Sequence, residues 1–302
     1  IITLYDAWVM QGSGWDLIER IASWVPIDHF PAPQAVMKWL SRPNVTPIAM
    51  SKFGLDAINR CDVEALYIPH AVDSNIFKPT PTVVGTDGEM PTRQWLGIPE
   101  DAFCITMVSA NKAGNVDRKS FAESFLAAAM IMQKHDDVWL YLHTEPTPAM
   151  SGLDLRALLA ATGAPSARVK FADSYSYRMG MPKEALAAIY TASDVLLQPS
   201  RGEGFGIPAI EAGLCETPQI VSNATAQPEL VGDGWTVDVQ PQWDPAQGCW
   251  FFTPLVPSIV DALEEAYARG RARSQKARKF ALQYDADLVF DKYWRPALDV
   301  LL

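Results

Sequence analysis

The sequence contains no apolar run approaching the roughly 20 residues that span a bilayer, and no basic-then-apolar leader opens it. A soluble, cytoplasmic protein is the expectation, with peripheral membrane contact and homo-oligomer formation left open. Cysteine is scarce. Cys61, Cys104, Cys215 and Cys249 are too few and too scattered for a disulfide framework and suit reduced structural thiols. His29, His70, His135 and His143 show no close metal-ligand spacing with cysteine or carboxylate, so no metal is expected. Positive charge is also in deficit, 25 Lys and Arg against 35 Asp and Glu. That disfavours a general electrostatic grip on nucleic acid but leaves room for a local phosphate patch. No serine lies in a Gly-x-Ser-x-Gly elbow, and no cysteine-histidine pair has a supporting signature.

What is present is apolar material spread from end to end, 49% of 302 residues, enough for two ordinary cores. Short apolar runs alternate with helical patterns. Strands are expected at the opening residues, Val45 to Met50, Ala65 to Ile68, Phe103 to Val108, Val138 to His143, Val169 to Ala172, Val195 to Leu197 and Gln219 to Val221. Helices fall between them, one starting after Ser51 as N-cap. This grammar predicts an α/β fold with parallel sheets. Residues 74 to 92 carry prolines at 79, 81 and 91 and glycines at 85 and 88 and read as an interdomain linker or loop. The tail is helical, and Pro296 marks an end or kink in its last helix.

Two loops carry the chemistry. The first, Asn111 to Lys119, follows the strand Phe103 to Val108; its Arg118 and Lys119 can neutralise phosphate oxygens. It is neither a Walker motif nor a Gly-x-Gly-x-x-Gly fingerprint, and a solvated loop with two surface cations is the alternative. The second, Arg201-Gly202-Glu203-Gly204-Phe205-Gly206, joins a buried strand to a helix. Its glycines permit a sharp turn, and the following helix directs unpaired amides to the crevice where open α/β sheets bind ligands. Glu203 can bond sugar hydroxyls or stabilise positive charge at an anomeric centre, and Glu211 can accept from a ribose diol. The alternative is that Glu203 caps the helix and Glu211 decorates its surface. Asp6, after the opening strand, can orient an acceptor or cap a turn. His70 can line a cleft or be structural, and Asp73 can stabilise the interdomain turn.

Together Glu203-x7-Glu211, the preceding segment Ala192 to Ser200, Ile68 to Asp73, Phe77-Lys78-Pro79, Pro228-Glu229-Leu230-Val231 and Tyr284-Asp285 resemble the family-4 retaining glycosyltransferases, the glycogen-synthase-like glycosyl transferases group 1. The resemblance implies a GT-B fold of two facing Rossmann-like domains. The implied divisions are 1–73, part of an acceptor-side domain; 74–92, a linker; 93–283, a nucleotide-sugar-binding domain; and 284–302, a helix crossing back to the first domain. It implies transfer of a sugar, with retention, from a nucleotide-diphosphate sugar to an unidentified hydroxyl acceptor, a nucleic-acid acceptor included, with no cofactor besides the donor substrate. Arg118 and Lys119 then hold the diphosphate together with the backbone at Gly204, Phe205 and Gly206. Glu211 binds ribose, Glu203 positions the sugar and Asp6 serves the acceptor side. The chain departs from the family at Tyr5-Asp6, where His-Asp is usual, and at Asn111, where a basic residue is common. It departs again at Glu216, where a glycine is usual, implying an altered nucleotide pocket. Further first-domain strands before Ile1 are also implied. A catalytically weakened nucleotide-sugar-binding or regulatory protein is the competing expectation.

Overall fold

The computed structural model describes residues 1–10, 12–85, 88–112, 117–147 and 151–301. Two parallel sheets organise it. The first contains β1 (Ile2–Leu4), β2 (Ile21–Val25), β3 (Val45–Ala49) and β4 (Leu66–Tyr67), in that spatial order. Helices α1 (Gln34–Leu40) and α2 (Lys52–Asn59) connect its later strands. The Ser51 hydroxyl accepts from the Gly54 amide at 3.0 Å, satisfying one of the open donors of α2 as an N-cap does. Segment 74 to 92 is more regular than a linker. It holds the antiparallel pair β5 (Thr82–Gly85) and β6 (Gly88–Pro91), followed by α3 (Thr92–Leu96).

The second sheet contains β7 (Phe103–Val108), β8 (Val138–His143), β9 (Val169–Phe171), β10 (Val195–Gln198), β11 (Gln219–Ser222) and β12 (Gly234–Val237). Their order is β12-β11-β10-β7-β8-β9, parallel throughout. Such strands are covered on both faces, which is why β7 and β10 read as nearly unbroken apolar runs. On one face α4 (Phe121–Lys134) and α5 (Leu155–Thr162) bury Phe125, Ile131 and Leu155 against Ile105, Leu140 and Val195. The intervening α6 (Ser174–Met179) and α7 (Lys183–Ala192) lead to α8 (Ile207–Leu214), which buries Ile210 and Leu214 against Tyr190 and Leu196. The strand order reverses between β7 and β10, so the loops leaving their carboxyl ends flank a switch point, where such sheets bind ligands. The Arg201 amide donates to the Arg118 carbonyl at 2.8 Å, tying these two loops together.

A second antiparallel pair, β13 (Val239–Asp244) and β14 (Cys249–Pro254), precedes α9 (Val256–Arg269) and α10 (Gln275–Ala281). The chain then returns to the first sheet through α11 (Ala286–Val289) and α12 (Arg295–Leu301). The Val72 amide donates to the Tyr284 carbonyl at 2.9 Å at the crossing. Beyond it, Trp294 meets Trp24 edge-on at 5.1 Å, Tyr293 meets Tyr67 at 5.5 Å, and Ala297 packs with Ala22, Ile48 and Ile68. A wide π-helical turn, Phe290–Trp294, comes before Pro296. Pro296 sits inside one unbroken helical run, α11, the π turn and α12 from Ala286 to Leu301, and the wide turn directly precedes this residue that lacks an N–H.

Candidate active site

The site is built where the β7–α4 and β10–α8 loops meet. Of the first loop, Ala113 to Val116 lie outside the described residues, but Arg118 and Lys119 are placed, and both turn toward Glu203. Lys119 Nζ contacts Glu203 Oε1, Arg118 Nη1 lies 3.5 Å from Oε2, and the same nitrogen donates to the Gly202 carbonyl at 2.8 Å. Glu203 is 7% exposed. Burial pushes its carboxyl up, but the charges of Lys119 and Arg118 outweigh that and hold it below the ordinary glutamate value. Glu203 does not cap α8: Gly206 occupies the N-cap position at φ +109° with no side-chain cap bond.

Two glycines explain how this loop reaches the other domain. A Cβ on Gly202 would lie 2.1 Å from the Asp28 carbonyl oxygen, and one on Gly204 would lie 2.3 Å from Pro26 Cβ. The glycines are therefore used for close approach to the loop after β2, which brings up Asp28 and His29. Arg118 Nη1 lies 3.4 Å from Asp28 Oδ2. Burial raises the Asp28 carboxyl, but its bond to His29 and the charges of His29, Arg118 and Lys119 bring it below the usual aspartate value. The His29 ring packs on Phe251 at 4.1 Å. Neither Asp28 nor His29 stands out in the sequence. Their only signal is an Asp-His step shortly after the run Ile21–Val25, whose strand periodicity alone did not reveal.

Asp6 reaches the same place. Its side chain makes no cap bond to the 3-10 turn Ala7–Val9. Burial and then the Asp28 charge raise its carboxyl, against Arg118 and His29. Asp6, Trp8, Asp28, Lys112, Arg118 and Gln242 are among the residues lining a cleft of about 610 Å³ between the two sheets. The tip of the β13–β14 hairpin forms its remaining wall.

Glu211 lies elsewhere. The Tyr190 hydroxyl donates to Glu211 Oε2 at 2.8 Å, and burial pushes the Glu211 carboxyl up to about 7, against the Tyr190 bond and the Lys183 charge. Neither Glu211 nor Glu203 is among the residues that line this cleft.

Other sequence positions have structural partners. Asn111 Nδ2 donates to the Glu145 and Leu153 carbonyls at 2.9 and 2.8 Å, and its Oδ1 accepts from the Leu153 amide at 2.9 Å. An amide, with a donor and an acceptor, serves this knot as no basic side chain can. Glu216 has φ +64° just beyond the end of α8, and its amide donates to the Gly213 carbonyl at 2.9 Å. A glycine here answers a left-handed backbone requirement. The Glu229 carboxylate accepts from the Lys52 and Phe53 amides at 3.0 and 3.1 Å, bridging the domains at the N-terminus of α2. His70 packs on Trp24 at 4.4 Å and Phe205 at 5.4 Å, and burial lowers its pKa to about 4. Asp73 Oδ1 accepts from the Asn75 amide at 2.8 Å within the turn leaving the first sheet. Among the described residues, no group of three or more His, Cys, Asp or Glu is arranged to hold a metal, and no helix is long and apolar enough to cross a membrane.

Comparison with known proteins agrees with this geometry. Residues 172–280 match the family model Glycosyl transferases group 1. Over 227 residues, 75% of this chain and 46% of the relative, the sequence is 26% identical to D-inositol 3-phosphate glycosyltransferase of Segniliparus rotundus. Over 98 residues, 32% of this chain and 24% of the relative, it is 44% identical to O-antigen chain mannosyltransferase B of Escherichia coli. The fold is similar to that of sucrose-phosphate synthase from Thermosynechococcus elongatus, with TM-score 0.70 and 20% identity over 99% of this chain and 74% of that one. The chain spans about half the length of the curated relatives it matches first, 46% and 55%. The protein has the GT-B fold, two facing Rossmann-like domains with C-terminal helices packed back on the first, and its residues 172–280 are similar to the glycosyl transferases group 1 model.

Proposed function

We propose that this chain transfers a sugar, with retention of anomeric configuration, from a nucleotide-diphosphate sugar to a hydroxyl acceptor in the cytoplasm. The observation that carries the reading is the Lys119–Glu203–Arg118 cluster at the switch point of the second sheet, facing the loop after β2. Arg118 and Lys119 neutralise the donor diphosphate, assisted by the backbone of Gly204, Phe205 and Gly206 where the loop enters α8. Glu203 holds both cations in place and orients the transferred sugar. Glu211 accepts from the ribose diol, and Asp6 orients the acceptor hydroxyl. The first domain, 1–73, and the second, 93–283, supply the two walls, joined by 74–92 and by the returning segment 284–302.

Chemically, the bond from the anomeric carbon to the diphosphate oxygen breaks and its electron pair stays on that oxygen, next to the two cations. The acceptor hydroxyl then bonds to the same face of the oxocarbenium-like carbon and gives its proton to the departing oxygen. No covalent enzyme intermediate is needed. The test is incubation with UDP-, GDP- and ADP-sugars and a panel of hydroxyl acceptors, reading released nucleotide and product anomer. Nucleotide release with a retained anomer supports the proposal; inverted product, or no release with any donor, contradicts it.

A further inference from the structure

Trp243, on the β13–β14 hairpin, and Trp8, on the turn after β1, both line the cleft and are 47% and 53% exposed. The hairpin holds Trp243 in place. Trp243 is the cross-strand partner of Trp250, and their rings meet edge-on at 5.0 Å. Trp250 in turn bridges to the first domain: its amide donates to the Phe30 carbonyl at 2.8 Å, and the Phe30 amide donates back at 3.4 Å. The Phe252 amide donates to the Arg201 carbonyl at 3.0 Å, fastening the same strand to the glycine loop. The hairpin is thus pinned to both cleft walls, and the Trp243 indole stands at a fixed place relative to Glu203 and Asp28.

Exposed indoles cost hydrophobic free energy and gain it back when an apolar ligand face covers them. Around these rings the cleft offers Asp6, Gln242, Asp244 and Gln247, which are side chains that hydrogen-bond hydroxyl groups. A ligand matching both features has flat C–H faces and a hydroxylated rim, which describes a pyranose ring. The charge on the lining selects further. Asp6, Asp28 and Asp244 face the cleft against Lys112 and Arg118, and Arg118 is already engaged by Asp28 and Glu203. Apart from the position given to the donor diphosphate, this lining therefore holds no surplus of positive charge to draw an acceptor anion.

We propose that Trp243, with Trp8 in the same lining, forms an acceptor subsite for an uncharged glycoside, whose ring stacks on the hairpin indole while its hydroxyls meet the polar rim. The proposal rests on the transferase reading for the word acceptor, but the carbohydrate platform stands or falls by itself. Saturation-transfer NMR with methyl α-mannopyranoside, methyl β-glucopyranoside and mannose 6-phosphate, on the 302-residue chain and its Trp243→Ala and Trp243→Phe variants, tests it. A neutral glycoside is expected to bind saturably, about tenfold more weakly to Trp243→Ala, the loss of about 1.4 kcal/mol. Trp243→Phe is expected to retain most of the affinity, and mannose 6-phosphate to bind less well than the neutral mannoside. No saturable binding of either neutral glycoside, equal binding by Trp243→Ala, or tighter binding of the sugar phosphate overturns the subsite. Calorimetric titration of the same samples with UDP, GDP and ADP separates the two readings. Nucleotide binding with a failed glycoside result removes the subsite and leaves the transferase, whereas glycoside binding without nucleotide binding removes the transferase and leaves the platform.

Discussion

Glu203 and Glu211 flank the N-terminus of one short helix and occupy opposite electrostatic environments. Glu203 is buried beside Lys119 and Arg118, and the cations keep its carboxyl ionised despite burial. Glu211 is half-buried, where desolvation outweighs the Tyr190 hydrogen bond and the Lys183 charge, so its pKa rises to about 7. Two identical side chains in one motif are thus a permanent charge and a group that titrates near neutrality. The difference comes from the β7–α4 loop, which delivers its cations to one glutamate and not the other.

The contrast depends on the glycine loop lying flat on Pro26 to Asp28, so the largest effect is expected from unseating it. Gly202→Ala puts a Cβ into the Asp28 carbonyl, and destabilisation of about 1–3 kcal/mol is expected in denaturant unfolding. Retained stability would mean that this interdomain contact is dispensable. Next, Glu203→Gln removes the charge that holds Arg118 and Lys119. Turnover is expected to fall about 10–100-fold, the scale of a lost charged hydrogen bond, and the unfolding midpoint to fall as well, because Lys119 and Arg118 lose their buried counter-charge. Unchanged turnover would take Glu203 out of the mechanism.

Glu211 gives a pH signature of the other sign. Its folded-state pKa is raised from 4.5 to about 7, so the protonated form is favoured in the fold and this contribution to stability is lost as pH rises between those values. Glu211→Gln is expected to flatten stability over that window. The same substitution is expected to abolish a gain in nucleotide affinity as pH rises through about 7, since only the ionised carboxylate accepts from both ribose hydroxyls. The smallest effect is at Glu216. Glu216→Gly relieves a left-handed residue at φ +64° and is expected to stabilise the protein by about 1 kcal/mol without changing nucleotide affinity, read by thermal unfolding and titration.

Much of the second sheet was legible because buried parallel strands leave unmistakable apolar runs. Phe103–Val108 and Val138–His143 lie where the pattern puts them, and Ser51 caps α2 as its residue type suggests. The β13–β14 hairpin was not legible. Its first strand, Val-Gln-Pro-Gln-Trp-Asp, is mostly exposed and includes a proline, so neither alternation nor an apolar run marks it. The two glutamates and the two cations could be named from their loops, but their pairing could not, because it depends on β7 and β10 being neighbours in space. Asp28 and His29 gain meaning only from the close approach that Gly202 and Gly204 allow. At Glu216 the sequence gives no sign of the left-handed backbone, φ +64°, that the end of α8 imposes there.

The diphosphate role of the cation cluster is tested most directly by calorimetric titration of wild type and Lys119→Ala with a nucleoside diphosphate and its parent nucleoside. Diphosphate affinity is expected to fall about 10–100-fold, the worth of a lost charge-assisted bond, while nucleoside affinity stays constant. Equal losses for both ligands, or no loss for either, would contradict the assignment of Lys119 to the donor diphosphate.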